Sequence, residues 1–458
     1  MQQYNRINIY ELILNLEKKH ELFSLNEHGV YFWKLIRLDI IRKLQGESLN
    51  KKRENKKIGK LIKNSVTSII RNPYFISGTT EYLVFENPRK ILLDQIKIDP
   101  YTHFLIPTLE NVYILDDVYN NNIEKSLYAP SSSVFLLKLV HKIRRKIKRV
   151  KPISVDNLSI ISELENIIFN ETNVKLNLVK QVQQKINGFL VGVEVYSPLF
   201  KSKNLKEIFL VCSYGKEHII HAAQMNNIKV TEIQHGVMSD LHFGYSFPKN
   251  TTIPYFPDRI NFFGNYWIKN TNLPQNLETE ITGYDYLNYQ VEKLNSYFEE
   301  KKQKSVLVVS QPTIAIKLFD EIYELAQSLS DYNFFIKLHP QEFEYWDWKY
   351  PRLVELSKFK NVTIFKDEKT IHELLARSYW VIGVYSTSLL EAIAFKANPI
   401  VIGIQGHEHI SNFVKTFSIP VFYTNKEISF FLEQNNNTNK YDLDLYSEND
   451  IWENNKLH

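Results

Sequence analysis

The sequence predicts an α/β protein built from two Rossmann-like domains behind a helical N-terminal segment. Three observations carry this. From about residue 205 short apolar runs alternate with amphipathic stretches, the pattern of parallel strands joined by crossover helices. A polar stretch at 288–304 interrupts that series and reads as a helical bridge, after which a second series begins. Four of the apolar runs end in polar residues suited to chemistry, and α/β ligands sit beyond the carboxyl ends of strands.

In chain order, residues 5–70 read as helical, with YELILNLEKKHELF and VYFWKLIRLDIIRKL apolar at helical spacing. EYLVF, THFLIP and VYILDD then read as strands. Residues 131–152 read as one basic amphipathic helix, with Leu136, Leu139, Val140, Ile143, Ile147 and Val150 on a stripe. EIFLVCSYGKEHIIHAAQMNNIKVTEIQHG is a strand–helix–strand unit, and RINFFG and ETEITGYDY follow. KSVLVVSQPT opens the second series, which continues through DYNFFIKLHP, NVTIF, YWVIGVYS and NPIVIG with helices between. The expected domains are a helical extension at 1–80, one Rossmann-like domain at 81–290, a second at 303–425, and a tail at 426–458.

Composition narrows the function. The chain has 458 residues, 44% of them hydrophobic, enough for two buried cores. A net charge of +5 is too weak to imply nucleic acid, which is not expected as a partner. Cys212 is the one cysteine, so an internal disulfide is excluded. The first residues carry charge too early for a signal-peptide core, and no apolar run is long enough to span a bilayer. A cytoplasmic protein is expected. The basic stretches 51–63 and 142–151 read as solvated faces or as contacts to an anionic membrane surface.

The strand ends carry the chemistry. Lys229–Ile233 stops at Gln234-His235-Gly236; VLVVSQPT supplies Ser310, Gln311 and Thr313; FFIKLHP supplies Lys337 and His339-Pro340. VIGVYSTS places Ser386, Thr387 and Ser388 before a helix, where backbone N–H groups and hydroxyls suit a phosphate or an ordinary N-cap. Glu391, three residues after Ser388, would complete a capping box. Histidine is the base best matched to a hydroxyl near neutral pH, and Gly236 would let a ligand approach the backbone.

The ordered set Q-H-G, K-x-H-P and Y-S-x-S-x-x-E-A, over residues 205–405, resembles bacterial surface-polysaccharide glycosyltransferases of the GT-B fold. That group includes sialyltransferases, Kdo transferases and CDP-glycerol polymerases. The resemblance implies two Rossmann-like domains facing across a cleft, and transfer of sugar from a nucleotide-activated donor, CMP-sugar before UDP-sugar. The acceptor would be a growing capsule, lipopolysaccharide or lipid-linked glycan. His339 would contact the nucleotide, and Ser386 and Ser388 its phosphate, alongside Ser310, Gln311, Thr313, Lys337, Pro340, Thr387 and Glu391. His235 would be the base, with Glu232 the alternative, because the sialyltransferases place an acid just before the glycine. Asp240, His242 and Tyr245 would line the acceptor side with Gly236. No cofactor or metal is required by this class; the nucleotide-sugar is a co-substrate. Polyol-phosphate transfer, sugar-nucleotide epimerisation and a non-catalytic glycan-binding role are the rival readings.

Other signals read as structural. His218 and His221 lack the carboxylate or cysteine a zinc site needs. Asp116-Asp117 reads as a turn. His407 and His409 are loop residues or pocket lining, and Trp346 and Trp348 packing anchors.

Overall fold

The computed structural model describes residues 6–46, 58–75, 80–119, 122–123, 130–148, 152–202, 204–299, 301–435 and 451–452. The chain divides into two compact units: Met1–Phe262 with Thr271–Thr282, and Phe263–Asn270 with Gly283–His458. Each contains one parallel sheet flanked by helices, so the expected α/β class with two Rossmann-like sheets is what the protein adopts.

The first unit's sheet has seven strands: β1 Tyr82–Phe85, β2 Val112–Asp116, β3 Ser131–Ser133, β4 Glu207–Val211, β5 Lys229–Ile233, β6 Arg259–Phe262 and β7 Glu278–Ile281. Their spatial order is β7-β6-β5-β4-β1-β2-β3, with every pair parallel. Both faces are covered, which explains why the strands read as apolar runs without alternation. Leu83, Ile208, Leu210 and Val230 pack on one face beneath Val191, Val195 and Leu199 of the helix Leu178–Lys201. Val84, Ile114, Phe209, Val211 and Ile233, one residue out of phase, pack on the other. Each fully buried Leu or Ile contributes about 2 kcal/mol.

The second unit's sheet has six strands: β8 Lys302–Val309, β9 Asn333–Lys337, β10 Val362–Phe365, β11 Ser378–Gly383, β12 Asn398–Ile402 and β13 Val421–Phe422. Their order is β10-β9-β8-β11-β12-β13, again all parallel. Val306, Val308, Ile336, Trp380, Ile382 and Ile400 pack beneath the helices Ala315–Ser328 and Asn425–Gln434.

Several expectations are corrected. THFLIP is no strand but a turn leading into a 3-10 helix at Ile106–Thr108. The buried Asp99 carboxylate accepts from the Tyr101 amide and the Thr102 hydroxyl, curling the chain locally. Residues 131–152 are not one helix: Ser131–Ser133 pair with β2, and the helix runs Phe135–Ile147, with the Ser133 hydroxyl accepting from the Phe135 amide. The bridge at 288–304 is a helix, Asp285–Leu294, whose far end gives way to β8. Residues 51–57, 149–151 and most of the tail lie outside the described residues.

The N-terminal segment is helical as expected, at Arg6–Lys19, Trp33–Leu44 and Ile58–Ile70, with a two-strand hairpin at 26–31. The first two helices share one buried ion pair: Arg37 donates to both oxygens of Glu17, and Trp33 Nε1 donates to the same carboxylate at 2.8 Å. Arg37 also donates to the carbonyl of Phe243, and Tyr10 bonds the Ser246 hydroxyl at 2.9 Å. The helical segment thus clamps the loop that follows β5.

Candidate functional site

Counted within its own sheet, each unit shows the strand order 3-2-1-4-5-6, the first unit adding β7 at its edge. In such sheets the crevice opens where the order reverses. That point lies between β1 and β4 in the first unit and between β8 and β11 in the second.

At the first unit's carboxyl edge, β5, separated from that point by β4, delivers His235. The imidazole is boxed by tyrosines. Tyr214, on the loop after β4, places its hydroxyl 3.5 Å from Nε2. The Tyr245 hydroxyl lies 3.5 Å from Nδ1 and donates to Glu232 Oε1. Tyr101 donates to the His235 carbonyl at 2.9 Å. Glu232 is 0% exposed, whereas the His235 side chain is 21% exposed. The nearest carboxylate oxygen is 3.9 Å from Nδ1. A side chain built on Gly236 would meet open space.

The electrostatics follow from burial. It pushes the His235 pKa down to about 3, helped by His242, Lys216 and Arg89, so the ring is neutral at pH 7. Burial also raises Glu232, against the hydrogen bond from Tyr245 and the charge of Lys216. A neutral Nδ1–H aimed at Tyr245, whose own proton goes to Glu232, leaves the Nε2 lone pair facing the Tyr214 side, where a substrate hydroxyl could come. The buried carboxylate then holds more proton affinity than an exposed one. It can take up, through Tyr245, part of the charge His235 acquires as a base. Glu232 lies behind Tyr245 and cannot itself reach a ligand without moving it.

Charge also gathers at the ends of β1 and β2. Lys90 bridges Glu86 at 2.6 Å and Asp116 at 3.4 Å, and Arg71 pairs with Asp116 at 2.5 Å. Asp116 is therefore an ion-pair residue and Asp117 pairs with Lys138. His218 packs against His141 and Tyr196, while His221 packs against Phe189 and Tyr255. Among the described residues no group of three or more His, Cys, Asp or Glu is arranged to hold a metal.

His218 gives a pH prediction. Burial, then His141 and nearby lysines, lower its pKa to about 3. The unfolded chain therefore binds a proton below pH 6.5 that the folded chain refuses, and stability from this group is lost as pH falls from 6.5 toward 3. Burial raises Glu86 to about 7, which acts in the opposite direction, so the comparison must be between variants. Between pH 7 and pH 5, urea unfolding of wild type should lose about 1–2 kcal/mol more than His218→Gln. Equal losses would mean that His218 titrates normally.

At the second unit's switch point, β11 runs into the helix Thr387–Ala394. Ser386 is the N-cap, its hydroxyl accepting from the Ser388 amide at 3.3 Å. The expected capping box does not form: the third helical position is Leu389, and Glu391 lies two residues further, 3.5 Å from His372. Across the switch point the Thr313 hydroxyl bonds the Tyr385 hydroxyl. Gly406, at φ 106°, lies where a side chain would collide with the Tyr385 ring, so only glycine fits. The His409 ring lies tilted against that ring, centroids 5.6 Å apart, and His407 turns to the Ile404 carbonyl at 3.0 Å.

Beside it, Ser310 and His339 are joined through Glu342, a buried carboxylate at the end of the 3-10 helix that Pro340 opens. Ser310 donates to it at 3.0 Å and the His339 amide at 2.8 Å, while His339 Nδ1 accepts from Gln341 at 3.2 Å. The Lys337 ammonium is bound by the carbonyls of Lys366 and Lys369. Gln311 lies at the same strand end, and its Oε1 is buried without a hydrogen bond among the described residues. Trp346 packs on the core, whereas Trp348 is exposed.

The structure therefore gathers His235, Glu232, Tyr245 and His242 in one cluster, with His242 and Tyr245 rings 4.9 Å apart. Asp240 is half-buried on the same loop. It gathers Thr313, Ser386, Thr387 and Ser388 in another, with Ser310 and His339 alongside. Sequence reasoning missed Tyr101, Tyr214 and Glu342. Tyr214 alone carried a signal, since SYG at the end of a strand matches the polar strand ends elsewhere. A cavity of about 750 Å³ lies away from these groups, lined by residues including Lys18, Phe23, Tyr31, Lys249 and Thr251.

No protein-family model matches the chain, and no curated protein matches it. Solved structures are similar in chain trace. UDP-GlcNAc 2-epimerase from Methanocaldococcus jannaschii is 11% identical, covering 79% of this chain and 94% of that one, with a TM-score of 0.44. A putative UDP-N-acetylglucosamine 2-epimerase from Listeria monocytogenes is 11% identical over 82% and 93%, with a TM-score of 0.47. A glycosyltransferase from Rickettsia africae is 11% identical over 78% and 88%, with a TM-score of 0.40. Similarity of this degree assigns neither substrate nor reaction.

Proposed function

We propose that the protein is a nucleotide-sugar-dependent glycosyltransferase of bacterial surface-glycan assembly, acting in the cytoplasm. The observation that carries this reading is the placement of His235 at a strand end, boxed by Tyr214 and Tyr245 and linked through Tyr245 to the buried Glu232, whose carboxylate would have to support the ring as it takes a proton. Such a group removes a proton from an acceptor hydroxyl of a glycan or lipid-linked sugar. The donor nucleotide binds the second unit at its switch point, its phosphates on the N-terminal turn of Thr387–Ala394 and its nucleoside beside His339 and Thr313. CMP-sugar is the first donor to try and UDP-sugar the second.

The test is thermal shift with CMP, CDP, UDP, GDP and their sugar conjugates, on wild type and Ser386→Ala. A ligand held by the native state raises the melting temperature by mass action, about 2.7 kcal/mol of stabilisation at a hundredfold excess over Kd. One nucleotide stabilising wild type and not the variant is expected. No stabilisation by any nucleotide would overturn the reading in favour of a glycan-binding protein. Turnover of the bound nucleotide-sugar with no acceptor present would replace transfer by epimerisation.

A further inference from the structure

We propose that the helices Ile58–Ile70 and Phe135–Ile147 form a docking surface for an anionic lipid bilayer. This goes beyond the catalytic reading and does not depend on it. Both helices belong to the first unit and pack together, with the Ser68 hydroxyl donating to Ser133 of β3, just before the second helix. Their outer faces expose large aliphatic side chains that water does not favour. Val66, Ile69 and Ile70, spaced for one stripe, are 53%, 57% and 78% exposed, and Ile143 and Ile147 are 48% and 75% exposed. Single exposed apolar residues need no explanation, but five on two packed helices do.

The charge carried by these two segments is one-sided. Neither residues 55–80 nor residues 125–155 contain an Asp or Glu, although the whole chain is only +5. Residues 142–148 are all exposed. Lys138 and Lys148 are paired with Asp117 and Glu194, whereas Lys142, Arg144, Arg145 and Lys146 have no ion-pair partner among the described residues. A face meant only for water gains nothing from isoleucines. A nucleic-acid face would bury them against phosphate. Exposed aliphatic side chains, interleaved on the second helix with unpaired cations, match the boundary between acyl chains and anionic headgroups. Among the described residues no helix is long and apolar enough to cross a membrane, so the contact is peripheral.

The test is flotation of the full chain with phosphatidylcholine vesicles, with and without phosphatidylglycerol. Binding to the anionic vesicles alone is expected, weakening as salt rises. Arg144→Glu/Arg145→Glu/Lys146→Glu should lower partitioning roughly a hundredfold or more. Ile143→Ser/Ile147→Ser should weaken binding even at low salt. All five positions are exposed, so unchanged circular dichroism and melting temperature are expected of both variants. No binding, equal binding to both vesicle types, or variants that float like wild type would overturn the proposal.

Discussion

Replacing His235 with alanine is expected to lower sugar transfer by roughly 10²- to 10⁴-fold, with nucleotide binding unchanged. His235 lies on the first unit, and the nucleotide is assigned to the second, so binding and chemistry should separate. Tyr245→Phe should cost less, because it removes the link from Nδ1 to Glu232 while leaving the base in place. Nitrogen NMR of the His235 ring should show Nδ1–H in wild type and a changed tautomer balance in Tyr245→Phe. If His235→Ala transfers sugar at the wild-type rate, Glu232 or another group is the base. An unchanged tautomer would remove the role given to Tyr245.

Arg37→Met should destabilise the first unit by about 3–5 kcal/mol. Arg37 is 1% exposed and Glu17 2%, so the substitution strands a carboxylate inside the protein. It also removes the donor to the Phe243 carbonyl and the cation over the Phe247 ring at 4.7 Å. The loop from 242 to 247 carries Tyr245, so the damage should reach His235 as well. Urea midpoints measure the loss, and Glu17→Leu combined with Arg37→Met should recover part of it by removing the orphaned charge. A loss below about 1 kcal/mol would mean that water or a shifted neighbour satisfies Glu17.

The alternation of apolar runs and amphipathic stretches was enough to foresee both parallel sheets, because buried strands and crossover helices impose local periodicities. The strand-end residues His235, Thr313, His339 and Ser386 were legible for the same reason: chain order fixes which end of a parallel strand carries them. Residues 153–204, which form the helices Val155–Thr172 and Leu178–Lys201, drew no assignment, although apolar residues recur along them. The strand at Ser131–Ser133 was hidden because its evidence is a neighbour, β2, and not its own three serines. Ser310 and Lys337 read as ligands from their positions, but the fold supplies partners that no local pattern reveals, Glu342 for one and two carbonyls for the other. The character of His235 depends on Tyr214 and Tyr101, which lie 21 and 134 positions away, and the loop that holds Tyr245 depends on Arg37, 206 positions from Phe243. Periodicity reports what a residue buries against its own element; a shifted pKa or a clamped loop is set by groups that only chain folding brings within a few ångströms.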